Sequence, residues 1–331
     1  MIIIAVANQK GGSAKTTTGY HLATDLARRG HAVLFFDNDA QGNATTWLGA
    51  EQPGNDYCDI VDFMIDDRVP LEDITQSCKV EHITLVPSTR DMQGADFQIM
   101  DAMIQGGFQP PSDVQGNLDM LLSRRLRSIP VDWDFCIIDT PPSMGMVTRN
   151  SLIAADCLII PVDVSHMGFE GTGSMLSFLT SLGEKNGKKI RILGVVATIL
   201  ESQTRLGASI LNNMHSYFVE LLFGAKIRKA VKLREASAVQ MPLYDYAPDD
   251  PAALDYEKFC DEALARLACQ GFTIPAPRFP AKPSLQSILE AKAARSALQQ
   301  NKLAKRKKPS LRREAPLGEP AQNQVATPVP A

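Results

Sequence analysis

The feature that most constrains this chain lies at its start. An apolar run, Ile2 to Ala7, gives way to Lys10-Gly11-Gly12-Ser13-Ala14-Lys15-Thr16-Thr17. A segment from Thr16 to Arg29 follows, with Leu22, Ala23, Leu26 and Ala27 on one helical face and Gly30 placed to end it. Strand, glycine-rich loop and helix in that order suit phosphate: glycines let backbone N–H groups approach the oxygens, and the helix N-terminus adds partial positive charge. In that reading Lys15 reaches the β and γ phosphates and the Thr16 hydroxyl ligates Mg²⁺. The general pattern G-x-x-x-x-G-K-[ST] is not met, because Gln9 and Ala14 stand where glycines belong. Taken alone, the loop reads equally well as a turn with no ligand.

Short, unbroken, β-branched apolar runs return at Ala32 to Asp37, Ile83 to Val86, Phe135 to Asp139, Cys157 to Val162 and Ile190 to Ala197. Unbroken runs imply strands covered on both faces, and their alternation with helical segments predicts an α/β fold. The expected architecture is a doubly wound, mostly parallel twisted sheet with helices on both faces. Ligands of such sheets bind at the carboxyl ends of the strands. Asp37-Asn38-Asp39-Ala40-Gln41-Gly42-Asn43 places two carboxylates at that edge, and Ile137-Ile138-Asp139-Thr140-Pro141-Pro142 places a third. A carboxylate after a hydrophobic strand is a common way to hold a water on a nucleotide's Mg²⁺. One such residue reads as a helix cap or turn former, but three together are hard to assign to capping.

Residues 51 to 130 are less regular, with Gly106-Gly107 and Pro110-Pro111 marking a loop. Asp249-Asp250-Pro251 opens a helix that Gly271 closes. Pro275, Pro277, Pro280 and Pro283 then break any regular pattern; a helix from Ser284 to about Lys308 and a disordered Pro-rich end are expected beyond them. The charge divides at the same place. The whole chain is at −3, yet residues 276 to 331 hold eleven basic side chains against three acidic ones, so the remainder is at −11 and the tail at +8. A body of residues 1–274 and a basic, Pro-containing tail of 275–331 is the expected organisation.

Several classes are excluded. Ordinary composition over 275 residues rules out disorder throughout. The apolar start lacks signal-peptide anatomy, and no stretch approaches the ~18 apolar residues of a membrane span. The six cysteines contain no C-x-x-C pair, so buried free thiols of a reducing cytoplasm are expected rather than disulfides or an iron–sulfur centre.

Lys10 to Thr17 resembles the deviant Walker A motif of the ParA/MinD family, in which a signature lysine precedes the two glycines. Asp37 to Asn43 is similar to that family's D-x-D-P-Q-G-N motif, with Ala40 in place of proline, and Ile138-Asp139-Thr140-Pro141-Pro142-Ser143 to its Walker B strand. Ile160-Pro161-Val162, Gly168-Phe169-Glu170-Gly171 and Tyr246-Ala247-Pro248 look like the ParA/Soj branch, and the resemblance spans about residues 1 to 270. It implies an ATPase that uses ATP and Mg²⁺ and whose ATP-bound homodimer binds DNA. Residues 10 to 17, Lys10, Gly11, Gly12, Ser13, Ala14, Lys15, Thr16 and Thr17, would hold the nucleotide. Thr16, Asp37 and Asp139 would hold Mg²⁺, Asp37 and Asp139 through water, and Asp39 would orient the attacking water. Lys10 would reach a partner subunit's phosphates, making Lys10, Lys15 and Asp39 the catalytic set. Ala14 departs from the family's glycine, and an alanine there is comfortable only at negative φ.

Five of the nine residues from Lys226 to Arg234 are basic: Lys226, Arg228, Lys229, Lys232 and Arg234. Charge alone favours a solvated face; the resemblance favours non-specific contacts to DNA phosphates, joined by Arg205 from a neighbouring segment. The segment lacks the proline that Soj-like proteins carry near the adenine, which leaves the base-contacting residues open. In the tail, seven of twelve residues from Lys302 to Arg313 are basic and none is aromatic, which suits a flexible electrostatic contact or a plain solubilising tail. The stripe of Leu285, Ile288, Leu289, Leu298 and Leu303 is too sparse to predict membrane anchoring. The resemblance therefore implies a cytoplasmic, nucleoid-associated protein for plasmid or chromosome partition, with hydrolysis stimulated by a ParB-like centromere-binding partner. The alternative is a relative that positions division machinery or a receptor array. A binding module with a degraded nucleotide site is the third reading. No helix-turn-helix precedes Ile2, so operator-specific autorepression is not expected.

Overall fold

The computed structural model describes residues 1–54, 57–105, 108–109, 117–201 and 205–306; within these, the side chains of 166–170, 205–206, 295 and 297–306 are left out. Gly106-Gly107, Pro110-Pro111 and Lys307 to Arg313 therefore lie outside the described residues. Two units form, Met1–Gln286 and Ser287–Ala331.

In the first unit the opening strand β1 (Ile2–Val6) becomes an interior strand, because all five of its side chains are apolar and buried. The chain continues through α1 (Lys15–Arg28), β2 (Val33–Asp37), α2 (Asn43–Trp47), α3 (Ile60–Ile65), β3 (Gln76–Ser77), β4 (Ile83–Val86), α4 (Ala95–Ile104), α5 (Leu121–Ser128) and β5 (Phe135–Asp139). It then runs through α6 (Met146–Ala154), β6 (Cys157–Asp163), α7 (His166–Lys185), β7 (Ile192–Leu200), α8 (Arg205–Phe218), β8 (Leu222–Arg228), α9 (Val231–Ala238), α10 (Leu243–Tyr246) and α11 (Pro251–Cys269). A last helix, α12 (Leu285–Arg306), leads into the second unit. The sheet order is β3-β4-β2-β5-β1-β6-β7-β8, parallel throughout except for β3 against β4. This is the doubly wound sheet expected.

Both faces are covered. Ile3, Ala5, Leu34, Phe36, Cys136, Ile138, Leu158 and Ile160 pack into one core with residues of α3 to α8. Residues of opposite parity meet α1, where a Cβ on Gly19 would touch Val6, Ile137 and Phe35. Phe35 and Phe36, fully buried on opposite faces, each contribute about 2–3 kcal/mol of burial. Register brings Val6 and Asp37 both opposite Asp139, so the loop after β1 and two carboxylates share one edge.

The expected strands were found with ends shifted by up to three residues, and β3 and β8 were not foreseen. β8 sits at the sheet edge and carries Gly224, Lys226 and Arg228, which breaks the apolar signal. The helix ended by Gly271 is capped by Asp250, whose carboxylate accepts from the Ala252 N–H at 2.8 Å.

The Pro-rich segment after α11 is a strap against the first unit as far as Gln286. The N–H groups of Arg278 and Phe279 donate to the Gly30 carbonyl at 2.8 and 2.9 Å, and that of Lys282 to the Arg28 carbonyl at 2.7 Å. Gly30 has φ of +89°, and a Cβ there would lie 2.1 Å from the Phe279 oxygen, so only glycine fits. Phe279 stacks on His82 at 3.8 Å, Arg278 pairs with Asp134 at 2.7 Å, and Leu285 is fully buried. No helix among the described residues is long and apolar enough to cross a membrane.

Candidate functional site

The loop from Asn8 to Ala14 turns over the end of β1 and is pinned on both sides. The Asn8 amide donates to the Pro161 carbonyl at 2.6 Å, and the Thr198 hydroxyl to the Ser13 carbonyl at 3.1 Å. No side chain caps α1, so its first N–H groups are left for an anion. Gly12 sits at φ +75°, and Ala14 at φ +62°, in the left-handed region that crowds a Cβ. The case foreseen as uncomfortable for alanine is thus the one the backbone adopts. Lys15 is 6% exposed, and its ammonium donates to the Lys10 carbonyl at 3.1 Å. Burial lowers its pKa, while Asp139 and Asp39 pull it back up.

Asp37 and Asp139 are 1% and 0% exposed. One Asp37 oxygen accepts from the Thr45 N–H and hydroxyl, both at 2.7 Å. Its other oxygen and both oxygens of Asp139 make no hydrogen bond of normal geometry among the described residues, although the Thr16 hydroxyl lies close enough to Asp139 to lower its pKa. Desolvation, with smaller repulsion from Asp39, raises Asp37 to about 6; desolvation and then Asp37 push Asp139 well above the usual carboxylate range. Buried, unpartnered carboxylate oxygens beside a phosphate loop fit a hydrated Mg²⁺, which keeps several waters and needs few direct protein ligands. The Thr16 hydroxyl at the start of α1 would be the direct ligand, with Asp37 and Asp139 receiving metal-bound water. Asp39 is half-buried in the turn after β2, where its carboxylate accepts from the Gln41 N–H at 3.1 Å and lines the same cavity.

Lys10 does not point into its own loop. Its ammonium forms an ion pair with Asp163 at 2.8 Å and reaches the Ser165 hydroxyl at 3.1 Å, while Ser165 donates to Asp163 at 2.8 Å. Asp163 was missed because β6 was expected to stop at Val162. It is the same signal again, a carboxylate closing an apolar strand.

The cavity beside the loop holds about 550 Å³ and is lined by Gly11, Gly12, Ala14, Lys15, Thr16 and Thr17, and across from them by residues of β8 and α9. Arg228, Lys229 and Arg234, anticipated as DNA contacts, line it, together with Ile227, Leu233 and Tyr256. Arg228 is held by Asp255 through two bonds of 2.6 and 2.9 Å. Lys229 pairs with Glu201 at 2.5 Å, and Lys232 with Glu235 at 2.6 Å. Lys226 is half-buried on β8, and Arg234 is exposed. Arg205 opens α8, but its side chain lies outside those described. Trp47 and Ile199 also line the cavity and carried no signal in the sequence beyond being apolar.

A family model described as an AAA domain matches residues 1–192. The sporulation initiation inhibitor protein Soj of Bacillus subtilis is 32% identical over 80% of this chain and 98% of its own length. The chromosome-partitioning ATPase Soj of Thermus thermophilus is 31% identical over 80% of this chain and 96% of its own. Among solved structures, cobyrinic acid a,c-diamide synthase of Mycobacterium smegmatis, bound to an ATP analogue and magnesium, superposes with a TM-score of 0.66 at 27% identity, covering 83% of this chain and 99% of that one. Similarity over nearly the full length of the two Soj relatives, with a family model that spans residues 1–192, makes this chain a member of the ParA/Soj family of P-loop ATPases.

Proposed function

We propose that this chain binds ATP with Mg²⁺, dimerises in the ATP state, and in that state binds DNA non-specifically to partition a plasmid or chromosome. A ParB-like centromere-binding partner stimulates hydrolysis, and the protein is nucleoid-associated within the cytoplasm. One observation carries the reading: the Lys10 ammonium is parked on Asp163 and Ser165, outside its own phosphate loop and a quarter exposed. A lysine so placed lies off its own phosphate loop and, once released from Asp163, would serve the phosphates of a second copy. Phosphoryl transfer depends on positioning and charge neutralisation, so a charge supplied in trans ties hydrolysis to dimerisation.

Within each subunit, the first N–H groups of α1, Lys15 and Thr16 would hold the triphosphate and its metal. Mg²⁺ supplies charge neutralisation of the phosphates. Asp39 would orient the attacking water. Lys226, Lys229, Lys232 and Arg234, with Arg205, would supply DNA contacts, and Arg228 is better placed for the cavity wall because Asp255 fixes it there. DNA affinity measured by anisotropy with ATP, with ADP and without nucleotide tests the reading. Binding should require ATP, vanish in Lys15→Ala and persist in Asp39→Ala. If nucleotide-free Lys15→Ala binds as tightly as wild type with ATP, the reading is wrong. Neutralising about six phosphates predicts a log–log salt slope near −5.

A further inference from the structure

The acidity of the first unit is not spread evenly. Residues 51 to 105 hold twelve acidic side chains against three basic ones. Within this stretch α3 and α4 border a groove of about 670 Å³. Buried Val61 and Phe108 and half-buried Ile65 give it an apolar lining, and Asp62, Asp66 and Asp101 line it as well, Asp66 also holding the exposed Arg68 guanidinium at 2.7 Å and Asp62 the Asp59 N–H at 2.9 Å. The Tyr57 hydroxyl, also in the groove, is buried and has no hydrogen-bond partner among the described residues. Beside it α4 turns Phe97, Met100 and Ile104 outward at i, i+3 and i+7, exposed by 73%, 47% and 80%. Ala95 and Ile99 of the same helix face the core, so the outer stripe is not needed for folding.

An exposed apolar stripe bordered by carboxylates marks a contact surface, and its charge selects the partner. Nucleic acid and anionic lipid are repelled. A second copy presenting the same face would set one acidic surface against another. We propose that the α3–α4 groove docks a cationic amphipathic peptide segment of another protein, with apolar side chains at helical spacing in the groove and Lys or Arg on the aspartates. The surface is joined to the nucleotide edge: the Met146 N–H at the start of α6 donates to Asp96 of α4 at 2.7 Å, seven residues beyond Asp139 and four beyond Pro142. The proposal does not depend on DNA binding or on hydrolysis.

The test uses the full chain and a fluorescein-labelled sixteen-residue Leu/Lys peptide with leucines at helical spacing, against a scrambled peptide of the same composition. Fluorescence anisotropy should show at least about tenfold tighter binding of the amphipathic peptide. Phe97→Ser/Ile104→Ser and Asp66→Asn/Asp101→Asn should each weaken it about tenfold, the second pair also flattening its salt dependence. All four positions lie away from the core, and circular dichroism of each variant checks the fold. Equal affinity for the two peptides, or full affinity in both double variants, overturns the proposal. So does a change in the sedimentation of peptide-free protein caused by Phe97→Ser/Ile104→Ser, because the stripe would then be covered by self-association.

Discussion

Asp37 and Asp139 stand directly opposite one another across the β2–β5 pairing, and three of their four carboxylate oxygens make no hydrogen bond of normal geometry among the described residues. Asp37 is raised to about 6 by desolvation, and Asp139 is raised well above the usual carboxylate range by desolvation and by Asp37. A metal needs these groups ionised, so binding must release protons. Mg²⁺-dependent nucleotide affinity should therefore fall as pH drops below about 6, by up to about tenfold per pH unit for each proton released. Calorimetry in two buffers of different ionisation enthalpy measures the protons. Above the raised values the ionised pair also costs stability in the absence of metal, so Asp139→Asn should melt higher than wild type at pH 7 while losing the Mg²⁺ effect.

Ala14 adopts φ +62° where the family carries glycine. Relief of the left-handed strain, worth about 1–2 kcal/mol, is partly offset by the greater unfolded-state freedom of glycine. Ala14→Gly should stabilise the protein by up to about 1 kcal/mol in urea denaturation and tighten ATP binding, whereas Ala14→Val should weaken both. An unchanged midpoint in Ala14→Gly would show that the loop bears no strain.

Lys10 and its Asp163 partner separate binding from turnover. Because the ammonium lies off its own loop, Lys10→Ala should keep ATP affinity within about threefold but lower single-turnover hydrolysis by at least about 10²-fold. Equal losses in affinity and rate would place Lys10 on the phosphates of its own subunit instead.

His21 is 2% exposed, stacked on Tyr256 at 4.2 Å with Tyr20 and Tyr244 edge-on, and its pKa falls from 6.5 to about 4, mainly through burial. Between those values the unfolded chain takes up a proton that the folded one refuses, so stability is complete above 6.5 and is lost as pH falls towards 4. The loss amounts to something on the order of 3 kcal/mol. Asp25, raised to about 6 in the same region by desolvation, works in the opposite direction. Comparing the pH dependence of unfolding in wild type and His21→Phe isolates the histidine, and parallel curves would refute the assignment.

The strap predicts where the chain can be shortened. Removing residues 287–331 should leave the melting temperature of the first unit unchanged, and ending at 274 should lower it by several degrees through loss of the Arg278, Phe279 and Leu285 contacts. Gly30→Ala should act like the shorter truncation, since its Cβ would meet the Phe279 carbonyl. Differential scanning calorimetry of the three proteins decides.

The strands that carry the site were legible because burial on both faces demands unbroken apolar runs, and the carboxylates that end them stand out against those runs. The role of the basic segment from Lys226 to Arg234 was not legible in the same way. A cation facing DNA and one lining a nucleotide cavity look alike until a distant partner such as Asp255 or Glu201 is brought beside it. The four prolines from 275 to 283 read as a break, which they are for helix and strand, but carbonyl groups on Arg28 and Gly30 gave their neighbours' N–H groups somewhere to go. Ala14 shows the opposite: the sequence named the residue at issue, and only the backbone angle decided its sign.

Helix α1 begins at the phosphate loop and ends at the residues that receive the strap. Fourteen residues make a rod about 21 Å long, stiff in compression and tension alike. Traction applied beyond Gln286 is borne first by buried Leu285, whose N–H donates to Glu257 at 2.7 Å, and by the Pro283 carbonyl on Arg28 at 3.0 Å, and then by the three backbone hydrogen bonds to Arg28 and Gly30 and the Phe279–His82 stack. That load enters α1 at its far end. One helix thus joins the phosphate loop at one end to the anchorage of the strap at the other.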